Sequence, residues 1–561
     1  MNHTILHSDT STSLLDRLLE IRGVTEDRDI FLNPKLSDYR GDPFDLSDME
    51  TWTELIIETM KSGGSICIFG DYDVDGITSS YLLYHVIYHE FGYKHIKIMF
   101  PDRLKDGYWL KNSHVDQIKK DGHELIITVD NGITSIQEAL YAKELWLKLV
   151  ITDHHKALDE LPQADALINP QVSESYHFKE ICGAAVAYKL ANALLKKSHL
   201  SQKQQHRIMD RLLPLVSIAT VADVVPLLDE NRAIVKRWLD QLTRRKNILP
   251  SLESMLDFVN IRGPIKSHHI GFVIGPRINA GGRLATGYDS IKTLLFSGAQ
   301  QHEALLALDD INTERKKIQK EMYTEAQKQI NTEDNILIAY GEDFHPGVVG
   351  IVAWKLTEKH NKPSLVLNID PAAKKASWSL RAPEYFDIMH MLQSIQETST
   401  KNSWSPILKR FWWHKQAWGI SIDLDHLDEL QLLLQSHCKE LVTPASIQKT
   451  IKIDTLLLAD ERTLENLDSI QLLEPFGAAN EEPVFVLQWL TLTHKEVVGK
   501  NGSWHLKLTA DYDWKPIEVL YRSKWSEEDE YTIGEVYDIV GKVKFDDYKK
   551  QYYLNGIRTH S

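Results

Sequence analysis

Ser65-Ile66-Cys67-Ile68-Phe69 runs directly into Gly70-Asp71-Tyr72-Asp73-Val74-Asp75-Gly76, and Ile77 to Val86 follows. The first five residues read as a short buried strand and the last ten as a helix, so the acids lie where a strand ends and a loop begins. In an open α/β sheet that is where ligands bind. Residues two apart in an extended chain point the same way, which lets Asp71, Asp73 and Asp75 converge. Crowded carboxylates repel one another and need a cation between them. Two readings stand at this point: a hard-metal site, or a solvated acidic turn. A calcium-binding EF-hand loop opens the same way, but its twelfth position needs a glutamate and here holds Leu82.

Outward from this junction, strand-like and helical stretches alternate over residues 51–230. The strands are expected at Ser65–Phe69, Ile96–Phe100, Glu124–Val129, Leu149–Thr152 and Ala166–Ile168. That order predicts an α/β domain, a parallel sheet with helices on both faces. Three more strand or helix ends carry chemistry: Asp130-Asn131-Gly132, Asp153-His154-His155 and Ala222-Asp223-Val224. A single such aspartate is most often a helix cap. Acids at 73, 75, 130, 153 and 223 together with adjacent histidines are another matter. Oxygen-rich ligands with one or two imidazoles and no thiolate suit Mn²⁺ or Mg²⁺ better than structural zinc. There are enough acids for two ions, which at about 3.5–4 Å apart activate water and stabilise the leaving oxygen of a phosphoester.

The whole chain sets bounds. Its 561 residues predict three or four domains. No run of eighteen apolar residues is present, so no membrane span is expected, and Met1 to Arg17 lacks the apolar core of a signal peptide. Cys67, Cys182 and Cys438 are too scattered for a zinc site or a disulfide framework, which points to the cytoplasm. The net charge of −15 argues mildly against nucleic acid, but a local basic groove would suffice.

Asp-His-His, with Asp-Tyr-Asp-Val-Asp-Gly upstream and Ala-Asp-Val-Val-Pro-Leu downstream, resembles the DHH phosphoesterase superfamily. Gly275-Pro276-Arg277-Ile278-Asn279-Ala280-Gly281-Gly282-Arg283, His345-Pro346-Gly347-Val348-Val349-Gly350 and Pro475-Phe476-Gly477 narrow the resemblance to the RecJ family of single-strand-specific 5′→3′ DNA exonucleases. The likeness implies that Asp73, Asp75, Asp130, His154, His155 and Asp223 are catalytic metal ligands or their immediate partners, with Asp71 and Asp153 in support. It implies release of nucleoside 5′-monophosphates in DNA repair and recombination. Arg103, Arg277 and Arg283 become candidate phosphate clamps, because a guanidinium pairs with phosphate bidentately, and Asn279, in the same motif, is expected to contact the phosphate or DNA with them. Ser379, Arg381 and His414 stand where this family grips substrate phosphates.

The expected organisation is a helical, loop-rich lead-in (1–50), the DHH core (51–230), a helical extension (231–299) and a solvated connecting helix (300–332). A smaller α/β substrate-binding domain (333–440) and an OB-type β-barrel (450–561) follow. Lys500, Lys507, Lys542, Lys544, Tyr552 and Tyr553 are plausible barrel contacts to single strands. The resemblance also implies single-stranded DNA as partner, a single-strand-binding protein and a recombination helicase as associates, and a monomer. Two other functions compete: a phosphodiesterase for short oligonucleotides or cyclic dinucleotides, and a non-catalytic single-strand DNA-binding scaffold. The barrel argues against the first and the intact acid set against the second.

Tryptophan is the one departure from the family pattern. Trp412, Trp413 and Trp418 flank His414, and Trp109, Trp146, Trp238, Trp354 and Trp378 fall where glycine is usual in this family. Trp504 and Trp514 sit in turn-like contexts that favour glycine. Tryptophan could serve as a stacking platform for bases. Alternatively the codons are UGA, read as glycine in the source. Moving all 14 tryptophans to glycine gives 42 glycines in place of 28, about 7.5% of the chain, close to the usual ~7%. Eight or more bulky residues at glycine sites would cost roughly 10–20 kcal/mol, as much as a typical fold's whole stability of about 5–15 kcal/mol.

Overall fold

The computed structural model describes residues 2–39, 41–103, 107, 109–261, 263–388, 390–391, 417–500, 503–546 and 551–560. They form two compact units. The larger comprises residues 40–225 and 237–448, the smaller residues 1–39, 226–236 and 449–561.

The larger unit begins with a five-stranded, wholly parallel sheet. Its strands lie in the order Ile96–Met99, Ile66–Gly70, Leu125–Val129, Lys148–Thr152, Ala166–Ile168. Every residue of Ile66–Gly70 and Leu125–Val129 is buried, as continuous apolar strands covered on both faces should be. The chain enters at Ile66–Gly70, steps outward to Ile96–Met99, then returns on the other side at Leu125–Val129. That reversal is the topological switch point, where the crevice at the strands' carboxyl ends is left open. The Asp71–Asp75 loop and Asp130 are the residues the two flanking strands deliver to it.

The helix Gly298–Gln329 is 32 residues long, about 48 Å at 1.5 Å per residue. It is not solvated all round. Leu305, Leu308, Asn312, Arg315, Gln319, Met322 and Ala326 recur every three or four residues as a buried stripe. Arg315 lies in that stripe and is held by Asn312 Oδ1 at 2.6 Å and Gln319 Oε1 at 2.9 Å, so polar letters conceal a packed face. A four-stranded sheet follows in the order Ala417–Asp423, Lys375–Arg381, Ser364–Asp370, Leu337–Gly341, with only the last two strands parallel.

In the smaller unit, Phe485–Lys500, Ser503–Tyr512, Lys515–Tyr521, Gln551–His560 and Val536–Asp546 pair in sequence, and the last pairs back onto the first. A closed five-stranded barrel results, of the expected OB type. The lead-in differs from expectation. Asn2–His7 is a strand, parallel to Thr450–Leu456. A six-residue edge strand takes its conformation from its tertiary partner, which local sequence does not reveal. Residues 226–236 also belong to this unit, not to the DHH core. The buried Arg232 donates to the carbonyls of Phe31, Leu472, Leu473 and Glu474 and fixes them there.

Trp238 and Trp378 lie in ordinary helix and strand backbone and are buried, so the fold makes no demand for glycine at either position. Trp354 is on a helix and half exposed. Trp412 and Trp413 lie outside the described residues.

Candidate metal centre

The site is built on helix and strand ends. Asp73 caps the helix Val74–His85: its Oδ1 accepts from the N–H groups of Asp75 (2.9 Å) and Gly76 (3.1 Å). The loop is drawn tight at Gly76, where a Cβ would collide with the Asp71 backbone. Asp75 points inward, and both its carboxylate oxygens accept from the N-terminus of the helix Gly183–Lys196, from Gly183 N at 2.6 Å and Ala184 N at 2.7 Å. A helix N-terminus favours negative charge. Asp130 follows Leu125–Val129 in left-handed backbone (φ 60°), and Gly183 approaches it so closely that a Cβ there would lie 2.8 Å from Asp130 Cβ. Asp223 is delivered by the C-terminus of the helix Gln202–Ala222.

His154 gathers these groups. Its Nε2 lies 3.1 Å from Asp130 Oδ1, 3.6 Å from Asp75 Oδ2 and 3.7 Å from Asp223 Oδ2. His155 Nδ1 pairs with Asp153 Oδ1 at 2.7 Å, while Asp153 Oδ2 accepts from Ile133 N at 3.0 Å. Three sets bring their ligand atoms within 4.8 Å of one another: Asp130–His154–His155, Asp75–His154–Asp223 and Asp71–Asp73–Asp130.

The electrostatics are those of an anion cluster taken out of water. Burial first, then repulsion from Asp73, raises Asp71 well above the carboxylate range and lifts Asp75 to about 7. Asp130 and Asp223 are raised well above it too, by burial and then by Asp75 and their other acidic neighbours. Burial also opposes the Asp153–His155 ion pair, but the pair prevails: Asp153 falls to about 2 and His155 rises to about 9.

The residues suit a hard divalent cation. Asp130 Oδ1 is buried, lies 3.1 Å from His154 Nε2 and, among the described residues, accepts no hydrogen bond. Asp153 fixes the orientation of the His155 ring, as second carboxylates do for metal-binding histidines. None of the three ligand sets among the described residues contains a cysteine; Cys182 borders the cluster, but its thiol lies 3.5 Å from Thr220 Oγ1 and is pushed well up by burial, then by Asp75. The sequence reading missed the contribution of Gly183 and Ala184, because backbone N–H donors carry no residue signature.

The expected phosphate contacts divide. Arg103 lies over the Tyr72 ring at 5.3 Å and acts electrostatically on Asp71. Arg283 donates to Gly347 O at 3.2 Å. Arg381 donates to Ser379 Oγ at 2.7 Å on the strand Lys375–Arg381. A Cβ on Gly350 would lie 3.0–3.1 Å from both side chains. Arg277 departs from expectation: its guanidinium is held by Asp309 and the Val273 carbonyl, both at 2.8 Å. Asn279 departs as well, because its Oδ1 accepts from Val74 N at 3.0 Å, which braces the acidic loop. His414 lies outside the described residues. On the barrel, Lys507 is paired with Glu496 and Glu518, and Lys542 and Lys544 with Glu482, so these lysines are charge-compensated.

A parallel sheet carrying acids and Asp-His-His at its switch point defines a phosphoesterase domain of the DHH class. Residues 65–220 match the DHH family, N-terminal domain, and residues 453–557 the RecJ OB domain. The single-stranded-DNA-specific exonuclease RecJ of Salmonella typhimurium is 30% identical over 521 residues, covering 89% of this chain and 86% of the relative. The Bacillus subtilis protein of that name is 31% identical over 547 residues, 96% of this chain but 66% of the relative. The chain belongs to the RecJ family. The crystal structure of RecJ from Thermus thermophilus in complex with Mn²⁺ matches with a TM-score of 0.79 at 23% identity, covering 98% of this chain and 76% of that one, and supports the fold.

Proposed function

We propose that this chain is a metal-dependent exonuclease that degrades single-stranded DNA from its 5′ end to nucleoside 5′-monophosphates. The observation that carries the reading is the seven-residue cluster of five aspartates and two histidines at the switch point, in a chain of this family. Asp71, Asp73, Asp75, Asp130, Asp223, His154 and His155 hold the cations, and Asp153 orients His155. When bound, Mn²⁺ or Mg²⁺ supplies water activation and charge neutralisation at the phosphodiester.

The remaining work falls to the chain. Gly183 and Ala184 keep Asp75 in place, Asn279 braces the loop, and Arg103 and Arg283 face the incoming phosphate. Ser379 and Arg381 form a hydroxyl–guanidinium pair suited to the next phosphate along the strand. The closed barrel offers a single-strand platform through its faces and loops. We place the activity in cytoplasmic DNA repair and recombination, the protein acting as a monomer beside a single-strand-binding protein and a helicase. No helix among the described residues is long and apolar enough to cross a membrane.

Incubating 5′- and 3′-labelled long single strands with the protein and Mn²⁺ tests the reading. Early release of labelled mononucleotide from the 5′-labelled strand alone is expected. Preference for dinucleotides, or release first from the 3′ end, would refute it.

A further inference from the structure

Two close backbone approaches chain the His345-Pro346-Gly347 turn to the acidic loop, and a third tightens the loop itself. Gly76 sits against Asp71, Gly282 against Tyr72, where a Cβ would lie 2.6 Å from the Tyr72 carbonyl, and Gly347 against the Arg283 carbonyl. The turn is therefore two backbone contacts from the metal cluster. His345 Nδ1 accepts from Gly347 N at 3.0 Å, which places the ring proton on Nε2 and leaves that N–H as a donor. Burial, then the positive charge of Arg103, holds the ring below its ordinary pKa and keeps it neutral.

We propose that His345 contacts the substrate phosphate, donating through Nε2–H beside Arg103 and Arg283. The proposal rests on the exonuclease reading and adds an uncharged donor to it. The two nitrogens separate its roles: asparagine at 345 keeps an acceptor for Gly347 N–H but loses the distal donor, whereas glutamine keeps the distal donor. His345→Asn and His345→Ala are expected to lower kcat/KM for single-stranded DNA about 10- to 100-fold, the range of one hydrogen bond to a charged group. Mn²⁺ affinity should stay within about twofold, and His345→Gln should recover most of the activity. Rescue by asparagine, or failure of glutamine, would reduce His345 to a turn-fixing role. An inactive unmodified protein would instead overturn the exonuclease reading.

A separate observation concerns three tryptophans. Trp146, Trp489 and Trp514 have φ of 56°, 63° and 62°, and are 90%, 75% and 94% exposed. Each occupies a device built for glycine. After the helix Ile136–Glu144, Trp146 N–H donates to Lys143 O and Leu147 N–H to Ala142 O, a Schellman cap. The same bonds close Leu14–Ile21 at Gly23 and Asn112–Lys120 at Gly122, with glycine at the equivalent position both times. Asp513 and Trp514, both at positive φ, form the two-residue turn between paired Tyr512 and Lys515, where Asp-Gly is favoured. Trp489 lies at the bulge between Leu487 and Leu490, which takes left-handed glycine.

The structure assigns these three positions to glycine in the native host, their codons being decoded as glycine rather than tryptophan. The same decoding at 412 and 413 would put a glycine-rich segment beside His414. Peptide mass mapping of the protein isolated from its host decides the matter: glycine is expected at 146, 489 and 514. Tryptophan at any of the three overturns the assignment.

Discussion

Chelation should invert the pH dependence of this site's stability. In the metal-free fold, Asp75 binds its proton up to about pH 7, while the unfolded chain releases it near 3.8. A raised carboxylate pKa contributes stability that is fully present below the unfolded value and is lost as pH rises through the folded one. Three pKa units at 1.36 kcal/mol each make that loss about 4 kcal/mol. Asp71, Asp130 and Asp223 shift in the same direction and share the same repulsion, so their effects are not separate additions. The Asp153–His155 pair contributes in two parts. Asp153, at about 2, stabilises at all pH values above 3.8; His155, at about 9, stabilises below 6.5 and loses that contribution as pH rises through 9. Both active terms therefore fall between pH 5 and 8.5.

A divalent cation binds the ionised cluster and reverses the slope, contributing about 4 kcal/mol at a thousandfold excess over Kd. A multi-domain chain has no single unfolding free energy, so the suitable assay is local. From pH 5 to 8.5 Asp75 gives up about two of its three pKa units and His155 about two more, so hydrogen exchange over residues 66–75 and 125–130, corrected for intrinsic rates, should lose protection on the order of 10⁴-fold in EDTA. In saturating Mn²⁺ protection should hold or rise. Identical profiles with and without metal would refute the reasoning.

Three further outcomes are expected. Asp75→Ala should abolish hydrolysis while leaving single-strand binding, read by fluorescence anisotropy, within a few fold; persistent turnover would remove Asp75 from the ligand set. Arg381→Ala should lower kcat/KM about 10- to 100-fold, the loss of a charge-assisted contact, with Mn²⁺ affinity unchanged; an unaltered kcat/KM would deny it a phosphate. Arg277→Ala, which removes a part-exposed pair with Asp309, should cost only about 0.2–1 kcal/mol in stability and change kcat/KM little. A hundredfold loss of activity would return Arg277 to the clamp.

The parallel sheet and the barrel were legible because strands buried on both faces read as unbroken apolar runs, and barrel strands alternate. The convergence of the acids and histidines was legible because these side chains stand at strand and helix ends. What escaped reading depends on distant partners. Asn2–His7 becomes a strand only beside Thr450–Leu456, and Arg232 binds residues 226–236 through carbonyls far along the chain. Arg277 and Asn279 share a motif with Arg283, yet helix geometry turns one to Asp309 and the other to Val74. Spacing along a motif does not say which neighbour each side chain meets.

The central claim is that the acids at the switch point hold the catalytic cations, and anomalous scattering from crystals grown in Mn²⁺ tests it most directly. Two peaks about 3.5–4 Å apart are expected among Asp71, Asp73, Asp75, Asp130, Asp223, His154 and His155. No peak there from protein that hydrolyses single-stranded DNA in the same Mn²⁺ solution would contradict it.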